Sequence, residues 1–288
     1  MQRQNYVTIL HLSDLQFGKN HRFFNSSVAE ENFSFDTLLA RLQADLQILK
    51  KDYSLQPNIV IVTGDIVEWG QKSEFDQALS FLNNLSSFLN VPKSYFVLTP
   101  GNHDINRKSC EAYFAECAAD EQEPSLPYLP KWKHFQNFCK RFYSDNCPEA
   151  ELESLYRLIE YPDLKITVAN LNSTIKESHR NEDHYGWIGE TQAQEIAEKL
   201  ANKKKDGWFN IAAVHHNVIR GETKDDDNLQ DAEMLQRVIG EHIDMLLHGH
   251  THRGKIHWWE PHLPIIGTGS AAVNKEARQD EVPNQYQV

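Results

Sequence analysis

Apolar positions along this 288-residue chain fall into two alternating patterns. Short runs at 6–12, 58–63, 95–98, 165–170, 208–214 and 243–247 have the length and near-continuous apolarity of strands buried on both faces. Between them, apolar residues recur at helical spacing. Phe35, Leu38, Leu39, Leu42, Leu46 and Leu49 predict an amphipathic helix over about 33–51. Phe75, Leu79, Leu82, Leu85 and Leu89 predict a second, Gly186-Trp187-Ile188-Gly189 introduces a third that runs to about 204, and a fourth covers about 229–241. Pro57 and Pro92 punctuate the connections. Strands alternating with helices through short links imply parallel βαβ units and an α/β fold. Residues 255–259 and 263–267 read as a further pair of strands. Residues 107–160 break the rhythm, with helical patterns near 108–119, 131–143 and 149–160 around a Pro-rich acidic joint at 120–130. They are expected to form a helical insertion capping the strand ends, within one domain covering 1–288. Residues 283–288 resemble the opening of another strand, so this chain is expected to be the N-terminal part of a longer protein.

Five of these strands end in chemistry. The first delivers Asp14 and Gln16, the second Asp65, the third Asn102 and His103, a later one His215, and the last His250 and His252. Ligands of open α/β sheets bind at the carboxyl ends of strands. Taken singly, each such residue is more simply a satisfied polar group. Together they offer oxygen and imidazole donors without a thiolate, a set that suits manganese, iron, zinc, nickel or cobalt, while magnesium prefers oxygen alone.

Bulk properties narrow the classes. Hydrophobic residues make up 40% and charged residues 24%, which fits a globular protein with a sizeable core. A net charge of −12 argues against a broad basic face for duplex DNA. It leaves room for a nucleotide or single strand held at a metal site, because bound cations bring their own charge. No apolar run approaches the ~20 residues that span a bilayer, and residues 1–5 lead directly into a strand without a signal-peptide pattern. No membrane association and a cytoplasmic location are therefore expected. Cys110, Cys117, Cys139 and Cys147 form no C-x-x-C pair. Buried reduced thiols are the simpler reading, and a structural zinc shared with His134 is the alternative. Asp225–227 reads as a solvated acidic loop.

The ordered blocks Asp14-Leu15-Gln16, Gly64-Asp65, Gly101-Asn102-His103-Asp104, His215 and Gly249-His250-Thr251-His252 resemble the calcineurin-like metallophosphoesterases. Asn172-Ser173 and Gly186-Trp187 look most like the branch containing the cyclic-nucleotide phosphodiesterases. The resemblance implies a four-layer α/β/β/α sandwich with a helical cap insertion and a two-metal site, manganese first among the candidate ions. By motif position, Asp14, Gln16, Asp65 and His252 would surround one ion. Asp65 would bridge to the second, completed by Asn102, His215 and His250, with His216 a weaker substitute for His215. His103 would act on the scissile phosphate and leaving oxygen, and Asp104 would orient it. Arg22 and Arg253 are candidates for holding a phosphate oxygen.

Gln16 departs from the family, where histidine is usual. The first ion would then bind through the amide oxygen, through a water in its place, or firmly only with substrate present. The implied activity is hydrolysis of phosphodiesters, in nucleotides or nucleic-acid ends, by a hydroxide shared between two cations. The alternatives are a phosphomonoesterase or protein phosphatase, and a non-catalytic metal or nucleotide sensor. Oligomeric state is left open, and a fused C-terminal regulatory module is the expected context.

Overall fold

The computed structural model describes residues 6–19, 21, 37–144, 156–219, 227–259, 261–273 and 282–288. Three parallel strands form the first sheet, β1 (Ile9–Leu12), β2 (Ile59–Thr63) and β3 (Phe96–Thr99), in the order β1-β2-β3. Six strands form the second. They are β4 (Arg157–Tyr161), β5 (Ile166–Asn170), β6 (Phe209–Ala213), β7 (Met245–His248), β8 (Lys255–Trp259) and β9 (Leu263–Gly267), in the order β4-β5-β6-β7-β9-β8. Its outer pairs, β4 with β5 and β8 with β9, are antiparallel; the inner pairs are parallel.

Burial explains why the strands read as unbroken apolar runs. All five residues of β2 are buried. Val60 and Val62 enter a core shared with helices, while Ile59 and Ile61 meet Val168, Ile211, Ala213 and Leu247 of the second sheet. The two sheets therefore pack face to face. Helices cover each outer face, giving the four-layer α/β/β/α sandwich. Helices α1 (Leu38–Tyr53) and α2 (Lys72–Leu89) lie on the first sheet; α5 (Glu190–Lys205) and α6 (Ala232–Ile239) lie on the second. Helix α1 starts after Thr37, whose hydroxyl accepts the Ala40 N–H at 3.2 Å, so its first turn lies later than the apolar spacing suggested. Phe35 lies outside the described residues.

The segment 107–160 departs from its expected role. Helix α3 (Arg107–Ala119) forms as the pattern indicates. Helix α4 (Lys133–Tyr143) is not a cap. Its Phe135, Phe138 and Phe142, with Trp132 before it, fill the same core as α2 and the first sheet. The Phe138 ring lies 5.1 Å from that of Phe75 in α2, and Phe142 lies 5.4 Å from Phe96 in β3. Of the residues expected as helix near 149–160, those from Arg157 onward enter β4, and 149–155 lie outside the described residues. Adjacent Leu158 and Ile159 serve opposite faces there, Leu158 towards the helix side and Ile159 between the sheets. Phe138→Ala is expected to cost about 3–5 kcal/mol of stability by denaturant unfolding, as for other buried Phe truncations. A loss below about 1 kcal/mol would return α4 to the status of a detachable cap.

The C-terminal residues sit beside the free edge of β1. Gln287 and His11 exchange both backbone hydrogen bonds, at 2.9 and 3.1 Å. Cys110, Cys117 and Cys139 are buried and form no disulfide among the described residues, and Cys147 lies outside the described residues. Among the described residues no cysteine joins a metal-type cluster with His134.

Candidate metal centre

Strand register lines up the functional turns. Leu12 pairs with Val62 and Thr63 with Thr99, so Asp14, Asp65 and Asn102 leave the first sheet side by side. Ala213 pairs with Leu247, which brings His215 and His250 off the second sheet together. Asn170 ties the two sheets at this end, accepting from Thr99 Oγ1 at 2.7 Å and donating to Leu98 O at 3.1 Å.

Each turn is bent sharply. Asp14, Gln16, Asp65, His250 and His252 all have positive φ, between 43° and 68°. Such backbone costs side chains with a Cβ about 1–3 kcal/mol each and collects at functional sites. Glycines let the turns approach one another. A Cβ on Gly64 would lie 2.6 Å from His215 Nδ1, and one on Gly101 would lie 2.3 Å from Asp65 Oδ1.

At the centre, donor atoms of Asp14, Asp65 and His215 lie within 4.8 Å of one another, and all three residues are buried. His215 Nε2 is 3.3 Å from Asp65 Oδ1 and 2.9 Å from Asn102 Oδ1. His252 Nε2 is 3.1 Å from Asp14 Oδ1. The His250 ring packs against His215 with centroids 5.1 Å apart, and its N–H backbone donates to Asp14 Oδ2 at 3.2 Å. Thr63 O accepts from His215 Nδ1 at 2.7 Å, which fixes a proton on Nδ1 and points Nε2 at the carboxylates.

The electrostatics ask for positive charge. Burial opposes a charged His215, yet Asp65 and Asp14 push its pKa up to about 10. Burial likewise works against ionised Asp65, but His215 and His103 hold its carboxyl well below the usual range. Burial keeps His250 down at about 3, a neutral ring with a lone pair to give. A buried set of two carboxylates, an amide oxygen and imidazole nitrogens is what divalent transition ions bind, so the residues present fit such ions.

The remaining expected residues divide. His103 stands beside the cluster, its backbone N–H donating to Asp65 Oδ1 at 2.9 Å. Its ring is oriented by the Glu68 carbonyl, 2.8 Å from Nδ1, and not by Asp104. Asp104 instead accepts the N–H groups of Gly101 at 2.9 Å and Val67 at 3.0 Å, pinning the two loops together. Both of its oxygens are spent on backbone, which corrects the expected contact with His103. Gln16 is half-buried; its backbone N–H donates to Asp65 O at 2.9 Å, and its side chain makes no hydrogen bond among the described residues. His216 turns away to Ser173 Oγ at 2.7 Å, with Nε2 3.7 Å from Glu177 Oε1. Arg253 makes no ion pair with the ligand set among the described residues, and its buried Nε lacks a hydrogen bond. Arg22 and Asp225–226 lie outside the described residues.

Two residues behind the site carried no sequence signal. Lys131 is fully buried, with Nζ donating to the carbonyls of Thr174, Ile175 and Glu177 at 2.7, 2.8 and 2.7 Å. Burial lowers it to about 7. Glu177, beside His216, is raised to about 8, again by burial. A lysine and a glutamate read as surface residues; only the packing shows otherwise.

A two-sheet sandwich with this carboxylate and imidazole cluster at its strand ends is the architecture of a metallophosphoesterase. A family model described as Calcineurin-like phosphoesterase matches residues 7–254, and the chain belongs to that family. An uncharacterised metallophosphoesterase-like protein of Bacillus subtilis strain 168, YydB, is 24% identical over 261 residues. That alignment covers 85% of this chain and 49% of YydB, so the chain spans about half the length of this curated relative. The crystal structure of a dimetal phosphatase from Danio rerio shares the fold, with a TM-score of 0.58 at 13% identity over 97% of this chain and 91% of that one. Among the described residues no helix is long and apolar enough to cross a membrane.

Proposed function

We propose that this chain is a metal-dependent phosphodiesterase of the cytoplasm, acting on nucleotides or nucleic-acid ends with two divalent cations, manganese first. The observation that carries it is the buried convergence of Asp14, Asp65 and His215 within 4.8 Å, with His103 tied to the same Asp65 oxygen. Asp14, Gln16, Asp65 and His252 would hold one cation, and Asp65, Asn102, His215 and His250 the other. Bound there, divalent cations neutralise phosphoryl charge and lower the pKa of water so that hydroxide forms near neutrality.

The chain's own groups do the rest. The Glu68 carbonyl can only accept, so His103 carries a proton on Nδ1 and works through Nε2. A protonated ring gives that Nε2 proton to the leaving oxygen, which keeps it, and the neutral ring then takes a new proton from water. Asn102 adds an oxygen without cancelling charge. Asp104 keeps the loop bearing His103 fixed to the loop bearing Asp65.

With manganese supplied, bis(4-nitrophenyl) phosphate should turn over faster than 4-nitrophenyl phosphate. Preference for the monoester would make the protein a phosphatase, and tight metal binding without turnover of either would make it a sensor. Gln16→His should tighten metal binding by about tenfold, since imidazole is the better donor for these ions. Unchanged stoichiometry and affinity by calorimetry would put Gln16 outside the coordination set.

A further inference from the structure

Two side chains on the rim beside His103 have no part in the site assembled above. Trp69 follows Glu68, whose carbonyl holds the His103 ring, and it is 55% exposed. Arg107 opens α3, four residues beyond His103 in the chain, and its side chain is 31% exposed. The turns carrying them are laced together. Asn106 Nδ2 donates to Gly70 O at 3.1 Å, beside the link from His103 Nδ1 to Glu68 O at 2.8 Å. Each turn is also held from behind. The Trp69 N–H donates to Glu74 Oε2 at 3.0 Å, and the Asn106 N–H to Lys131 O at 2.8 Å. An exposed indole is thus held on a fixed turn next to the carbonyl that orients His103.

The charge on Arg107 is poorly matched. Its ion-pair partner is Glu177, with Oε2 at 3.7 Å, too far for a hydrogen bond. That oxygen is buried and has no hydrogen bond, and burial raises the Glu177 carboxyl to about 8, against the charges of Arg107 and Lys131. Lys131, the other cation near Glu177, is committed to three carbonyls. His184 lowers its pKa through burial and then through the charges of Arg107 and His103, against the opposing charges of Asp183 and Asp227. Asp183 itself is engaged by Ser178 Oγ at 2.6 Å. Among the described residues the Arg107 guanidinium makes no hydrogen bond, and it acts on the same His184 as His103 does, so its donors remain available in that neighbourhood.

We propose that Trp69 and Arg107 form a leaving-group subsite for a nucleotide, the indole stacking on its base and the guanidinium holding a second phosphate. The inference rests on the reading of His103 as the group that meets the leaving oxygen, because what leaves must pass the residues flanking His103. An indole stacks on any base, and a guanidinium pairs with phosphate through two parallel hydrogen bonds. Hydrolysis joins a water oxygen to phosphorus, breaks the bond from phosphorus to the leaving nucleotide, and leaves a proton on that nucleotide's oxygen. The substrate is then a chain of nucleotides whose leaving side carries its own phosphate. A cyclic nucleotide does not fit, since its leaving oxygen stays tethered and brings no second phosphate.

Two thymidine dinucleotides test this with the manganese-loaded full chain, one bearing a phosphate on the leaving nucleoside and one lacking it. The wild-type protein should favour the phosphorylated dinucleotide by about tenfold in kcat/KM, expressed in KM. Arg107→Ala should erase that preference, and Arg107→Lys should keep most of it. Trp69→Ala should raise KM for both dinucleotides by about tenfold, with Trp69→Tyr retaining most of the affinity. A preference that survives Arg107→Ala, no preference in the wild type, or faster turnover of a cyclic nucleotide than of either dinucleotide would overturn the subsite. If the wild type hydrolyses no diester, the hydrolase reading fails separately. Calorimetric binding of thymidine 3′,5′-bisphosphate then judges the subsite, with about tenfold weaker binding expected in each alanine variant and equal binding contradicting it.

Discussion

Asp65→Asn is expected to empty the site of cations and to cut phosphodiester turnover by a factor on the order of 10²–10³. Asp65 sits fully buried between the two halves of the cluster, 3.3 Å from His215 Nε2 and accepting the His103 N–H at 2.9 Å. Removing one charge from a buried charged pair costs about 3–5 kcal/mol, and about 1.4 kcal/mol is a tenfold change in rate. Asparagine has the same shape and its oxygen still accepts from the His103 N–H, so the turn should survive. The loss would then come from charge. Metal content by atomic absorption, alongside the rate with bis(4-nitrophenyl) phosphate, separates the two. A variant that keeps both its metal and its rate removes Asp65 from the centre.

His103→Ala should behave differently. Its kcat is expected to fall by about 10²–10⁴, the usual contribution of a positioned general acid, while the metal content stays that of the wild type. The ring binds no member of the cluster through its nitrogens; Nδ1 is given to the Glu68 carbonyl. Removing it therefore takes away the proton at Nε2 without removing a ligand. The Asp65 and His103 variants together distinguish loss of the cations from loss of proton transfer. Equal rates for His103→Ala and the wild type, at matched metal content, would end the proposed role of His103.

Much of this architecture was legible in the sequence because fully buried strands leave an unmistakable trace. Ile59-Val60-Ile61-Val62 can be apolar throughout only if both faces are covered, and the structure covers one with helices and the other with the second sheet. The carboxylates and histidines were legible because each follows such a run, often beside a glycine that the close approach requires. Other features left no trace. The aromatic spacing of α4 is that of any amphipathic helix, and nothing in it says whether Phe138 faces a core or overhangs a site. The short stretch at Leu158 and Ile159 fits helical or extended periodicity over so few residues, and pairing with β5 decides. The group orienting His103 is a backbone carbonyl, which every residue possesses, so a nearby Asp104 was the natural but mistaken choice. Lys131 has a composition that reads as surface, while three carbonyls hold it inside.

Gln16 stands between these two cases. Its position in the motif and its left-handed backbone, φ 43°, match those of the neighbouring acidic and histidine turns. Its amide, without a hydrogen bond among the described residues, is free to turn towards a cation or to leave that place to water.

An anomalous-scattering map of manganese-soaked crystals tests the central claim most directly. Two peaks are expected among Asp14, Asp65, Asn102, His215, His250 and His252, with Asp65 the residue common to both. No peak there, or a single peak that leaves Asn102 and His250 without a cation, would contradict a two-metal centre in this chain.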